Sequence, residues 1–178
     1  FVFNMSVGYD LAGIRTEKID RFIEGLKDAR ETPVWKECTA WAKARLADFD
    51  GLTAADVDAF DPRVCKSITL STLHGCPPAE IERIATYLIR EKHLHTFVKC
   101  NPTLLGYGFA RKTLDQLGYG DVAFDDHHFK DDLQFADAVP MFVRLSSLAQ
   151  SQGVAFGLKL SNTFPVEITR GELPGTEM

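Results

Sequence analysis

Residues 66–100 read KSITLSTLHGCPPAEIERIATYLIREKHLHTFVKC, and their pattern sets the architecture of the chain. Between Pro78 and His93 the apolar residues recur at the i, i+3, i+4, i+7 spacing of one helix face: Ile81, Ile84, Ala85, Leu88 and Ile89. Short runs at 66–73 and 95–100, rich in β-branched residues, flank this helix and are typical of strands. A strand, a helix and a strand with short connections predict two parallel strands joined by a right-handed crossover.

A strand and a long helical excursion are predicted before this unit. The strand covers residues 1–6, and three helices follow the capping residues Thr16, Thr32 and Thr53. Proline suits the first position of the second helix, where its missing N–H costs nothing. Apolar spacing in that helix predicts a buried face made by Cys38, Trp41, Ala42 and Leu46.

After this unit the alternation of helix and strand continues. The pattern predicts a helix at 107–117, a strand at 121–125, a helix at 137–152 with Pro140 in its first turn, and a strand at 154–160. Five parallel strands are fewer than the eight of a closed barrel. We therefore predict an α/β fold, a partial or incomplete (β/α)8 TIM-type barrel with parallel strands.

The domain organisation follows from this pattern. We predict one barrel-like domain over 1–178, consisting of a first strand plus helical excursion at 1–62, regular βα units at 63–165, and a tail at 166–178. The sequence starts with apolar residues typical of the middle of a strand and ends with polar residues. These two features predict that this domain is a fragment of a larger multidomain protein.

Polar residues share one face of each predicted strand. Ser67, Thr69 and Ser71 do so in the strand at 66–73, and Lys99 and Asn101 do so in the next. A sheet covered by helices on both sides would be apolar on both faces, so this polarity favours the inside of a barrel. Parallel α/β proteins place their chemistry at the carboxyl ends of the strands, where these loops should converge.

Composition excludes several functional classes. The 178 residues contain 20 Lys and Arg against 25 Asp and Glu, a net charge of −5, with no basic block for a nucleic acid. No run approaches the roughly 20 apolar residues that a membrane span requires. Four cysteines are ordinary usage and predict reduced thiols in a cytoplasmic protein.

Cys76 is the first candidate catalytic residue. It stands just before a predicted helix, whose dipole would favour the thiolate form of a base or nucleophile. The alternative is a small buried apolar residue. His74, two residues earlier, is its candidate partner.

Lys99 and Lys159 occupy equivalent places at two strand ends. They could hold an anionic ligand, polarise a carbonyl or form a Schiff base, whereas the alternative is an ion pair with Asp125 or Asp126. The candidate cofactor-binding set comprises both lysines and a group of polar residues: Asn4, Ser6, Asn101, Asn162 and Thr163.

No metal site is predicted. The run 125–128 contains two aspartates and two histidines, but adjacent residues at a strand end point apart and cannot all bind one ion. The cysteines also lack the close spacing that iron–sulfur clusters favour.

Three loops, at 75–77, 97–102 and 161–163, resemble in order those of the flavin-binding barrel of dihydroorotate and dihydropyrimidine dehydrogenases. The resemblance implies that Cys76 transfers a proton, that Lys99 contacts flavin, and that Asn162 and Thr163 contact ring or substrate. The longer runs at 71–78 and 95–106 are more similar to large bacterial flavoproteins classed as selenate reductase subunits.

That closer resemblance implies an oxidoreductase that transfers electrons or hydride. FMN would bind this segment, while FAD, NAD(P) and iron–sulfur clusters would lie in the rest of the parent chain. The implied partners are a small-molecule substrate and the other domains and electron-transfer subunits of the parent complex.

Two alternatives remain open on the residues alone. The insertion of His74 and Gly75 before Cys76, with no glycine-rich phosphate loop, suits a scaffold or docking domain that has lost its cofactor. A weaker alternative is a Schiff-base lyase that uses Lys99 or Lys159.

Overall fold

A four-stranded parallel sheet forms the centre of the computed structural model, which describes residues 3–8, 10–71, 75–163 and 165–167. The strands are β1 (Met5–Val7), β2 (Ser67–Leu70), β3 (His95–Cys100) and β4 (Phe156–Leu160), and they neighbour one another in chain order. Sequential parallel strands joined by helical crossovers form the wall of an open barrel. The predicted α/β class and partial barrel are confirmed.

Eight α-helices connect these strands in the described residues, four between β1 and β2, one between β2 and β3 and three between β3 and β4. They are α1 (Leu11–Ile14), α2 (Glu17–Lys27), α3 (Pro33–Lys43), α4 (Ala54–Asp58), α5 (Pro78–Arg90), α6 (Tyr107–Gln116), α7 (His127–Asp131) and α8 (Phe135–Ser151). Short 3-10 turns occur at Leu46–Asp48 and Pro102–Leu105. None of the helices in these residues is both long and apolar enough to cross a membrane.

The predicted helix starts are confirmed at two caps. The Thr32 hydroxyl accepts a hydrogen bond from the Trp35 N–H, and Pro33 occupies the first position of α3. Thr53 and Asp56 form a reciprocal capping box at α4. Each arrangement satisfies backbone N–H groups that the first helical turn leaves unpaired.

The core lies between α5, the sheet and α8. All five residues of the predicted α5 stripe are buried, together with Ile68, Leu70 and Val98 of the sheet and Met141, Leu145 and Ala149 of α8. The helices therefore cover the apolar face of β2 and β3. The opposite, polar face carries Thr69 and Lys99, as the alternation of side chains predicted.

The strand predicted at 121–125 is wrong. Val122 and Phe124 instead pack in a small separate cluster with Ala110 and Phe129. The Arg111 guanidinium donates to the Val122 carbonyl at 2.6 Å and to the Tyr119 carbonyl, just before the segment, at 2.8 Å. A side chain thus satisfies the Val122 carbonyl, which a strand would have paired with a neighbour.

The buried face predicted for α3 is also wrong. No residue of this helix is buried, and Trp41 is 50% exposed, with its ring against Arg45 and Phe49. An apolar stripe shows which face of a helix is suited to burial, but Phe49 and α4 cover this one only in part.

The position predicted for Pro140 needs correction. The last helix begins at Phe135, so Pro140 lies inside it rather than in its first turn, and the Ala136 carbonyl has no N–H partner at that position.

Candidate functional site

A small pocket lies where β2 and β3 end. Its polar lining comprises Cys76, Lys99, Cys100, Asn101, Thr103 and Asp132, and three apolar residues close it: Ile81, Leu104 and Leu133. Its volume of about 20 Å³ has room for a single water molecule. The structure thus brings three of the predicted site residues, Cys76, Lys99 and Asn101, to one place.

Asp132 is the residue that joins the loops around this pocket. It is 6% exposed and follows α7 directly. Its carboxylate accepts hydrogen bonds from the Gly75 N–H at 2.8 Å, the Asn101 amide at 3.2 Å and the Thr103 hydroxyl at 2.7 Å. The loop before α5 and the loop after β3 are therefore bound to the same carboxylate.

Asn101 extends this connection to a third strand end. Its side-chain oxygen accepts from the Asn162 amide at 3.1 Å, while its own amide donates to Asp132. Asn162 follows β4, so one line of hydrogen bonds runs from Gly75 through Asp132 and Asn101 to Asn162. The loops after β2, β3 and β4 converge as the parallel topology predicted.

The two predicted lysines are direct neighbours. Lys99 of β3 stands in register with Lys159 of β4, on the polar face of the sheet. Lys99 is half-buried and Lys159 is exposed, and in the described residues neither ammonium group has a carboxylate within 4 Å. Like charges side by side on neighbouring strands repel one another.

The ion pair with Asp125 or Asp126, left open on the sequence, does not form. Asp126 pairs with Lys130 at 2.6 Å, one turn along α7. Asp125 accepts from the His127 N–H at 3.0 Å. Both carboxylates are thus engaged at the start of a helix.

The surroundings of Cys76 oppose the thiolate character that its place before a helix predicted, and its catalytic role stays a prediction. Partial burial raises the pKa of the Cys76 thiol, and the nearby Glu80 carboxylate raises it further. The next two residues, Pro77 and Pro78, open α5 and lack the N–H groups through which a helix start stabilises an anion. Burial likewise raises the pKa of Cys100 to about 11.

Alkylation of Cys76 is expected to respond to pH accordingly. Because only the thiolate reacts and the pKa of Cys76 is raised, its rate with iodoacetamide should still be climbing above the pH range in which a cysteine thiol ordinarily titrates. The Glu80→Gln variant should move the Cys76 profile to lower pH, since it removes the neighbouring negative charge.

Glu82→Gln is the matched control for that measurement, because Glu82 lies on the same helix but pairs with Arg144 at 2.7 Å. Rates are read from labelled peptides by mass spectrometry. A Cys76 profile that levels off below the ordinary range of a cysteine thiol, or that is the same in the Glu80→Gln variant and the unmodified protein, would contradict the raised pKa of Cys76.

Three other predicted site residues, Asn4, Ser6 and Thr163, do not line the pocket. Asn4 precedes β1, and its amide donates to the Thr69 hydroxyl at 2.8 Å, towards the amino end of the sheet. Ser6 of β1 and Thr163 after β4 are exposed. His74 lies outside the described residues. The binding roles assigned to these residues stay predictions.

In the part of the chain that the structure describes, no three His, Cys, Asp or Glu side chains come together as a metal site would require. The histidine and aspartate run at 125–128 forms the start of α7, where His127 lies 3.4 Å from Asp131.

Sequence reasoning missed Asp132. The residue stands in the charged run Lys130-Asp131-Asp132, which has the pattern of a solvated surface. The one available signal is its position between Phe129 and Leu133, which predicts that this short segment faces the core.

Comparison with known proteins agrees with this architecture. The family model of the oxidoreductase YgfK amino-terminal TIM-barrel domain matches residues 1–178. The protein named "Putative oxidoreductase YgfK" in Escherichia coli K12 is 40% identical over 190 aligned residues that include 100% of this chain. The protein of the same name in Escherichia coli O157:H7 is similar to the same extent. The chain spans 18% of the length of each relative, and no solved structure matches it.

Proposed function

The chain belongs to the family of oxidoreductase YgfK amino-terminal TIM-barrel domains, and from this premise we propose that it forms the flavin-binding wall of an oxidoreductase barrel. The observation that carries the proposal is the pair of lysines, Lys99 and Lys159, which stand side by side at the strand ends without a carboxylate partner in the described residues. An anion beside the two ammonium groups would relieve their repulsion.

The residues of the polar face fit the ring of a flavin. Neighbouring strands lie about 4.8 Å apart, so two lysines in register can approach one edge of a planar ring. Lys99 and Lys159 would hold the edge of the ring that becomes negative on reduction, and the Asn101 and Asn162 amides lie beside them. The phosphate would be bound by residues other than these.

Phe97 and Gly157 add a flat apolar surface to the same face. They are in register on β3 and β4, and a Cβ atom at Gly157 would lie 2.7 Å from the Phe97 ring. The aromatic ring thus lies directly over the glycine, one step below the lysine pair. A flat surface below two cations suits a planar, anionic ligand.

Cys76 would exchange a proton with the substrate. A bound flavin supplies or accepts a hydride at one substrate atom. The raised pKa of Cys76 favours the protonated thiol, which would give its proton to the neighbouring substrate atom and regain one from water, so that hydride and proton together complete a two-electron reduction. In the opposite direction the thiolate would take the proton.

The rest of the parent protein would deliver the electrons. Relatives of this chain are several times longer than it is, and we assign FAD, NAD(P) and iron–sulfur clusters to that remaining length, as in an enzyme of the selenate reductase type. The substrate would be a small molecule. All four cysteines are free thiols, which suits a reducing compartment such as the cytoplasm.

The test is the flavin content of variants of the purified protein that carries these 178 residues. Lys99→Met and Lys159→Met keep the apolar stem but remove the charge, so each should lower FMN occupancy about tenfold, as loss of one charged contact does. The double variant should lower it further. Extracted flavin is measured by fluorescence, and the FMN dissociation constant by titration.

Lys36→Met is the matched control, because Lys36 is an exposed lysine on α3 that pairs with Glu31 at 2.7 Å. Its FMN occupancy should equal that of the unmodified protein. Absence of FMN from the unmodified protein, or equal FMN occupancy in all variants, would refute the proposal and favour a docking role for the barrel.

A further inference from the structure

We propose that Asp132 is the positioning residue of this site. Its carboxylate fixes residues 75–77 before α5, here called the Cys76 loop, relative to the loops after β3 and β4. The proposal rests on the proposed function only where it treats Cys76 as the proton donor. Its geometric content, that one buried carboxylate orders three loops, stands on the hydrogen bonds alone.

The carboxylate has the partners that such a role requires. Both oxygens accept hydrogen bonds, Oδ1 from the Gly75 N–H and Oδ2 from the Asn101 amide and the Thr103 hydroxyl. Hydrogen bonds to an ionised acceptor are stronger than those between neutral groups, and more so in a buried setting. Asp132 is itself held in place, because the Gln134 amide donates to its backbone carbonyl at 2.6 Å.

Gly75 makes the position of Cys76 sensitive to this contact. Its φ of +76° lies in the left-handed region that favours glycine, although nothing in the described residues lies within 4 Å of the place where a Cβ would be. The glycine is thus required for the turn rather than for space. The N–H bound by Asp132 belongs to this turn, immediately before Cys76.

Removal of the carboxylate would release several groups at once. The Gly75 N–H, the Thr103 hydroxyl and the Asn101 amide would each lose an acceptor in a region that admits little water. The Asn101 side chain would lose the contact that fixes its NH2 group. Its oxygen would therefore hold the Asn162 amide less firmly. The expected consequence is local opening of the Cys76 loop rather than unfolding of the core.

The experiment compares the reactivity of individual cysteines in the purified protein. Asp132→Ala should raise the iodoacetamide labelling rate of Cys76 about tenfold, as local opening equilibria can. It should also move the pH profile of that rate downwards, because burial contributes most to the raised pKa of Cys76. Cys65, which is 4% exposed and lies before β2, should stay protected.

Two further variants complete the design. Asp131→Asn removes the exposed neighbouring carboxylate and should leave the rate and pH profile of Cys76 unchanged. Asp132→Asn keeps the shape and one acceptor oxygen, so its Cys76 rate should fall between those of Asp132→Ala and the unmodified protein.

Two results would overturn the proposal. Equal acceleration of Cys65 and Cys76 would show that Asp132 supports the whole fold, and an unchanged Cys76 profile in Asp132→Ala would show that it positions nothing. Flavin content does not enter this test. Retention of FMN in the lysine variants would therefore refute the proposed function without affecting the result for Asp132.

Discussion

Replacing Gly8 by alanine is expected to lower the free energy of unfolding by about 3 kcal/mol, the upper part of the range for overpacking. A Cβ atom at this position would lie 2.3 Å from the Ser71 carbonyl oxygen. That oxygen belongs to the backbone, and the Ser71 N–H donates to the Val7 carbonyl at 2.7 Å. The added methyl group therefore forces the carboxyl ends of β1 and β2 apart.

The matched control is Gly108→Ala on α6, where nothing in the described residues lies within 4 Å of a new Cβ. This substitution should raise the free energy of unfolding by up to about 1 kcal/mol, because alanine favours a helix more than glycine does. Urea unfolding of the 178-residue chain, followed by far-ultraviolet circular dichroism, measures both changes. Equal stability of Gly8→Ala and the unmodified chain would contradict the close approach of these strands.

Sequence reasoning predicted best those elements whose apolar face packs against their own neighbours along the chain. The α5 stripe, from Ile81 to Ile89, repeats at helical spacing and lies between two β-branched runs. A helix with such a stripe can bury it only against the sheet that its flanking strands form. Sequence and structure therefore agree on β2, α5 and β3 with small differences at their ends.

Pattern reasoning failed where burial depends on a distant partner. The α3 stripe around Trp41 has the same kind of spacing, yet Phe49 and α4 cover it only in part. The segment containing Val122 and Phe124 has strand-like residues, but Arg111 binds the Val122 carbonyl from a neighbouring helix. Periodicity identifies an apolar face but not its partner.

The candidate site also contains both residues that could be predicted from the sequence and a residue that could not. Parallel strands bring their carboxyl ends together, so the convergence of Cys76, Lys99 and Asn101 could be predicted from topology. Asp132 could not, because its partners Gly75 and Asn101 lie 57 and 31 residues away along the chain. The raised pKa of Cys76 was missed for a different reason, since it depends on burial and on Glu80.

Truncation of Leu88 to alanine is expected to lower the free energy of unfolding by about 3 kcal/mol. The side chain is completely buried in the core between the sheet and α8, together with Ile68, Val98 and Leu145. Residues on both sides are held by a strand or a helix, so the cavity left by the truncation can close only partly. The same urea titration measures this loss.

Leu117→Ala provides the control, because Leu117 is 65% exposed and its truncation should change the free energy of unfolding by less than about 0.5 kcal/mol. A loss below about 1 kcal/mol in Leu88→Ala would contradict the tight packing of α5.

Comparison of Leu88→Ala with Asp132→Ala distinguishes a loss of overall stability from a loss of local positioning. Leu88 belongs to the apolar core against which both cysteines pack, so its truncation should expose Cys65 and Cys76 together through global unfolding. Loss of the Asp132 carboxylate should expose Cys76 while Cys65 stays protected, because the core that buries Cys65 remains intact.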